Sequence, residues 1–130
     1  MAALPVDPPR LFVYGTLRPG HLRWPFLEPF ATAHRAAVVA GRLYDSGFGW
    51  PVAAFTTAGD HVVPGTLVDL DPERAVEALD VLDDVEATAT DLLGRVVVTT
   101  TEGVAAWAYH CVAPEPGMVR IDRWLPIDER

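Results

Sequence analysis

Lysine is missing from this 130-residue chain: all ten cationic side chains are arginine. We read that as coding bias, without mechanism. Cysteine is nearly absent too. The single Cys111 excludes an internal disulfide and suits a reducing compartment, so a cytoplasmic location is expected. Its mid-strand setting reads as a buried structural thiol rather than a nucleophile. The only serine is Ser46, in "LYDSGFG", and Tyr44 stands where a nucleophile elbow needs its first glycine. That excludes a serine hydrolase of that type. Long apolar runs are absent, so no membrane span is expected. A basic N-terminal segment leading into an apolar run is absent as well, so no secretory signal is expected. His21, His34, His61 and His110 lack metal-ligand spacing, and neither HExxH nor CxxC occurs, so no metal is expected. Glycines five apart in "GTLRPG" suggest a phosphate loop, but His21 and Leu22 follow where Lys and Ser or Thr are needed.

What is present is a globular composition, 50% hydrophobic and 22% charged, with a net charge of −8. The charge is uneven. Residues 1–42 hold five arginines against Asp7 and Glu28, while residues 66–91 hold nine acids against Arg74 alone. An acidic chain without a basic stripe is not expected to bind nucleic acid. The acidic block reads as a solvated helix face.

Residues 1–10, with Pro5, Pro8 and Pro9, read as a flexible arm, and residues 11–130 as a single domain. Strands are expected at 11–15, at 34–44 with a bend at Gly41, at 52–55, at 61–70, at 94–101 and at 104–112. Pro64 and Gly65 argue that strand 61–70 lies at an edge or carries a bulge. Four residues, Pro19, Gly20, Pro25 and Pro29, keep any helix in 16–31 short. The main helix starts near Asp71, a capping residue, and Pro72, suited to the first helical position. Ala75, Val76, Leu79 and Leu82 recur at helical spacing, and the pattern fades after Leu82. The tail from Ala113 reads as irregular, with Trp124 and Leu125 apolar enough to pack back. Strand–helix alternation is missing, so the expected class is α+β: an all-antiparallel or mixed sheet curled around one helix.

Two stretches carry chemistry. In "LFVYGTLRPG" a strand of four apolar residues runs into Gly15. Tyr14, Gly15, Thr16 and Leu17 then present backbone N–H groups at the strand exit, and such groups suit a carboxylate. An ordinary strand end gives the same pattern. In "LDVLDDVE", Asp80, Asp83, Asp84 and Glu86 cluster at and past the expected helix end. Asp83 lies four residues after Leu79, which puts it on the inward face beside like-signed dipole charge. That setting suits a proton shuttle. A frayed acidic helix end in water gives the same spacing.

Taken together, these stretches resemble the gamma-glutamylcyclotransferase family, including its gamma-glutamylamine branch. The resemblance rests on "FVYGTLRPG", "GRLYDSGFGWPVAAF", "VPGTLVDLD", "LDVLDD" and "AWAYHC", in the family's order. It implies a small mixed β-barrel, mostly antiparallel, with few helices. It implies cyclisation of a γ-glutamyl group, in which the α-amine attacks the γ-amide carbonyl and 5-oxoproline and a free amine leave. It implies no cofactor, because nucleophile and electrophile share one substrate. Carried over, Tyr14, Gly15, Thr16 and Leu17 match the loop that holds the γ-glutamyl head group. Tyr109 matches a strand tyrosine lining the same cavity. Asp83 matches the general acid/base.

The chain departs from the family at that last position. The family's "LDxxEG" motif has Glu-Gly where this chain has Asp83-Asp84. Aspartate is roughly 1.5 Å shorter, and a misplacement near 1 Å can cost about 10²-fold in rate. Leu93 replaces the usual aromatic ahead of Arg95. Three accounts follow: Asp83 works on a more deeply seated substrate, Glu86 has taken over, or the cavity binds without reacting. The functional alternatives are an enzyme acting on a small γ-glutamyl amine or amide, and a binding module with the same cavity. A third is a tailoring enzyme that removes a γ-glutamyl protecting group.

Overall fold

The computed structural model describes residues 9–47, 51–56, 61–89, 93–111 and 117–124, with the backbone alone for 86–89, 93 and 111. The expected arm lies almost wholly outside these residues. Its last member, Arg10, opens the first strand.

The elements run β1 (Arg10–Val13), α1 (Trp24–Leu27), β2 (Ala31–Asp45), β3 (Pro51–Phe55), β4 (Val62–Leu70), α2 (Ala75–Ala89), β5 (Leu93–Thr99), β6 (Ala105–Cys111) and β7 (Val119–Ile121). The strands form one sheet of order β3-β2-β4-β1-β6-β5, with β7 added to β2. Only β1 and β6 pair in parallel; the other pairs are antiparallel. The result is a nearly closed, mixed, barrel-like sheet with two short helices, as expected. Closure comes from bonds between β2 and β3 on one side and the β5–β6 hairpin on the other. Thr101 N–H donates to Val38 O at 2.9 Å, and Phe55 N–H to His110 Nδ1 at 3.1 Å.

β1 explains its own apolar run. Alternate residues of a strand face opposite ways, and both faces of β1 are buried. Phe12 and Tyr14 join Leu43, Leu67, Ala106 and Ala108 in the barrel core. Leu11 and Val13 point the other way, into a core shared with Leu79, Leu82 and Tyr109. A strand covered on both faces has no use for a polar alternation.

α2 is that cover. Ala75, Ala78, Leu79 and Leu82 are its buried stripe, at the i, i+3, i+4, i+7 spacing. Two expectations fail here. Val76 is 44% exposed, because the stripe runs through Ala78 rather than Val76. The helix also does not end at Leu82 but continues to Ala89. Asp83 is therefore mid-helix, and its expected setting beside the dipole at a helix end does not hold. Past Leu82 the helix carries Asp84 on its exposed face, while Asp83 is half-buried. Asp71 closes the turn before the helix, its Oδ1 accepting Glu73 N–H at 3.0 Å.

Three other details depart from or sharpen the sequence reading. The tail is not wholly irregular, since Val119–Ile121 pairs with Leu43–Asp45. β4 is central rather than an edge, but β1 stops opposite Thr66, so at Pro64 only β2 is paired. At Gly65 a Cβ would stand 2.3 Å from Val13 O, so close backbone approach explains that glycine. Gly41 marks the expected bend: β2 pairs β4 up to Ala40 and β3 from Gly41 onward.

Candidate functional site

β1 ends at Val13, and the chain turns through Tyr14–Gly20 into α1. The turn is closed by its own carbonyls. Arg18 N–H donates to Gly15 O at 3.1 Å and Arg23 N–H to Thr16 O at 2.8 Å. The N–H groups of Gly15, Thr16 and Leu17 are used in none of these turn bonds. Arg18 adds a side-chain strap: its Nε donates to Gly15 O at 3.1 Å and its Nη2 to Trp124 O. Burial, and after it the charge of Arg123, pull the Arg18 guanidinium below its ordinary pKa. An arginine stays charged through such a shift.

Against this turn lies a pocket lined by Phe12, Val13, Tyr14, Gly15, Thr16, Leu17, Arg23, Pro51 and Tyr109. It holds about 350 Å³ when its solvent-open part is counted, and about 30 Å³ of interior that admits water. The smaller volume is room for about two waters. Gly15 is needed where it stands: a Cβ would sit 2.5 Å from Pro51 Cγ.

Tyr14 and Tyr109 hold the pocket walls together. Tyr14 Oη donates to Tyr109 O at 2.6 Å and accepts Ala53 N–H at 3.3 Å. That ties the exit of β1 to both β6 and β3. The Tyr109 hydroxyl reaches the helix, donating to Asp83 Oδ1 at 2.8 Å. Arg95, directly opposite Tyr109 on β5, forks onto the same carboxylate, Nε to Oδ1 at 3.1 Å and Nη2 to Oδ2 at 3.2 Å. The Arg95 guanidinium also lies 4.6 Å over the Trp107 ring. A fork of this geometry fixes both oxygens of the carboxylate. The Asp83 side chain is 41% exposed, so the pair is partly screened by water.

Five of the six residues singled out in the sequence, Tyr14, Gly15, Thr16, Leu17 and Tyr109, therefore line one recess. The sixth, Asp83, is not a lining residue but is bonded to one, through Tyr109. The Glu86 and Cys111 side chains lie outside the described residues. Sequence reasoning missed Arg23, Pro51, the Arg18 strap and the Arg95 fork. Only the position of Arg18 inside "GTLRPG" hinted at any of these. A larger recess, about 890 Å³ with its solvent-open part counted, sits at the seam between β2, β3 and β5. It is walled mainly by Val39, Phe55, Val96, Val97 and Val98, with His110 its one ionisable described residue. Among the described residues no group of three or more His, Cys, Asp or Glu is placed to hold a metal ion. No described helix is long and apolar enough to cross a membrane.

The family model for gamma-glutamyl cyclotransferase, AIG2-like, matches residues 11–125. The chain belongs to this family. Solved structures agree on the fold. An uncharacterised protein from Pyrococcus horikoshii superposes with a TM-score of 0.62 at 22% identity, covering 87% of this chain and 85% of its own. A mouse AIG2-like protein gives 0.59 at 18% identity, covering 89% and 87%. Urea amidolyase from Kluyveromyces lactis gives 0.68 at 19% identity, covering 92% of this chain but 8% of that one. At these identities the likeness concerns the fold alone. No curated protein matches the chain. The family supports a cyclotransferase-like function in general.

Proposed function

We propose that this member of the family cyclises a γ-glutamyl group on a small amine or amide, releasing 5-oxoproline and the free amine. The Tyr14–Leu17 turn holds the head group, with the solvent-open part of the recess taking most of it. The α-amine attacks the γ-carbonyl carbon, a ring C–N bond forms, and the bond to the leaving nitrogen breaks. Asp83 accepts the proton lost by the α-amine and returns it to the leaving nitrogen, directly or by way of the Tyr109 hydroxyl. The step is redox-neutral and needs no cofactor. The observation that carries this reading is Tyr109, which lines the recess and at the same time donates to Asp83 at 2.8 Å.

A second reading, a binding module, rests on a different observation. Both Asp83 oxygens are held by Arg95, and Asp83 is absent from the pocket wall. A carboxylate so engaged is a weaker proton shuttle unless the substrate displaces one of its partners.

Release of 5-oxoproline from a panel of γ-glutamyl amines and amino acids separates the two. Wild type should release it, and Asp83→Asn should fall by about 10²–10⁴-fold. Glu86→Gln should change little. The reverse pattern transfers the role to Glu86. No turnover by wild type or Asp83→Glu leaves the binding reading standing.

A further inference from the structure

Among the described residues Arg23 is the one cation in the pocket wall, and no acidic residue joins it there. The other lining residues are apolar or neutral. Among the described residues its guanidinium makes no hydrogen bond or ion pair, unlike that of Arg18, the other arginine of this turn, whose Nε donates to Gly15 O. Its backbone is fixed to the binding turn, because Arg23 N–H donates to Thr16 O at 2.8 Å. The side chain thus starts from a point tied to the loop and is only partly exposed. In a chain of net charge −8, a guanidinium without an acidic partner, on a residue that lines the recess, has its fork geometry unspent.

We propose that Arg23 is the carboxylate-reading residue of this pocket, pairing with an anionic end of the ligand. The inference rests on the recess being the substrate site and deepens that reading by naming the charge class it selects. A γ-glutamyl compound offers two sources of the anion. One is the α-carboxylate of the head group, which survives unchanged into 5-oxoproline. The other is a carboxylate on the leaving amine, present in γ-glutamyl amino acids and absent from γ-glutamyl amines. Neither group forms or breaks a bond in the cyclisation. Arg23 therefore stabilises ground and transition states alike, and its loss should raise KM with little effect on kcat.

The experiment has two arms, both with the full chain. In the first, calorimetric titration compares 5-oxoproline with 5-oxoprolinamide. In the second, turnover compares γ-glutamylalanine with γ-glutamylethylamine. Each is run on wild type, Arg23→Lys, Arg23→Gln and, as a charge control, Arg35→Gln, an exposed β2 position outside the pocket. Wild type should prefer the carboxylate partner in one arm, by about tenfold or somewhat more for a partly screened charged pair. Arg23→Gln should erase that preference, Arg23→Lys should keep part of it, and Arg35→Gln should keep all of it. Added salt should shrink it in wild type. The arm that responds identifies which carboxylate is read. A wild type without preference in either arm, or a preference that survives Arg23→Gln, overturns the inference even if 5-oxoproline is released. An Arg23-dependent preference in the titration, with no 5-oxoproline release from any compound, sustains the inference and overturns the enzyme reading instead.

Discussion

Tyr109 donates its hydroxyl to Asp83 Oδ1 at 2.8 Å while its own carbonyl accepts the Tyr14 hydroxyl at 2.6 Å. One residue on β6 therefore joins the exposed rim of α2 to the buried exit of β1. Tyr109→Phe keeps the ring and the carbonyl and removes the hydroxyl that donates to Asp83. The expected cost in stability is about 1 kcal/mol, at the low end for a bond to a charged acceptor because Asp83 is part-exposed. Denaturant unfolding measures it. On the proposed reaction kcat should fall by about tenfold or more, since the proton carrier loses a fixed partner. Unchanged kcat would remove Tyr109 from the mechanism.

Gly15 and Pro51 form a second pair whose contact decides a residue type. Gly15→Ala places a Cβ 2.5 Å from Pro51 Cγ and 2.7 Å from its Cδ. Overpacking of this kind costs about 1–3 kcal/mol, and ligand affinity should drop with it. Adding Pro51→Ala removes the obstructing ring, so the double variant should recover part of the loss. A double-mutant cycle measures that coupling. Simple additivity would mean that Gly15 is needed for some other reason.

The buried stripe of α2 gives a contrast inside one helix. Leu82 is fully buried and Val76 is 44% exposed. Leu82→Ala should cost about 2–5 kcal/mol, whereas Val76→Ala should stay within about 0.5 kcal/mol. Thermal melts of the two variants check this directly. Comparable losses would mean that the helix packs on a different face.

The Arg18 strap predicts a local effect. Arg18→Met keeps much of the aliphatic stem and removes the donors to Gly15 O and Trp124 O. Amides of residues 15–20 should exchange faster by about tenfold or more, with global stability falling by roughly 1–3 kcal/mol. Hydrogen exchange resolved by residue is the measurement. Equal protection in the variant would show that the turn stands on its own backbone bonds.

The turn after β1 was legible in the sequence because its signals are local: an apolar run, then a glycine, then Pro19-Gly20. A sheet curled around one helix was legible for the same reason, through short strands bounded by breakers and one amphipathic helix, whereas the barrel was expected from the family resemblance. Asp83 was legible only in part. Its spacing from Leu79 placed it near the buried stripe, but the helix end expected after Leu82 was wrong, because hydrophobic periodicity stops where burial stops and not where the backbone stops being helical. β7 was too short, at three residues, to show any period.

By itself the sequence determined which segments would bury themselves and which would turn, since hydrophobic spacing and the special backbone habits of glycine and proline act between near neighbours. Tertiary structure decided everything that depends on register. Arg95 meets Tyr109 only because β5 and β6 pair in that register, and both reach Asp83 only because α2 lies across that face. Pro51 faces Gly15 only because β2 leaves β4 at Gly41 and carries β3 round toward the end of β1. Arg23 enters the pocket wall only because its N–H closes back on Thr16. Contacts between residues far apart in the chain are set by how the sheet curls and closes, and no local pattern of side chains encodes that geometry.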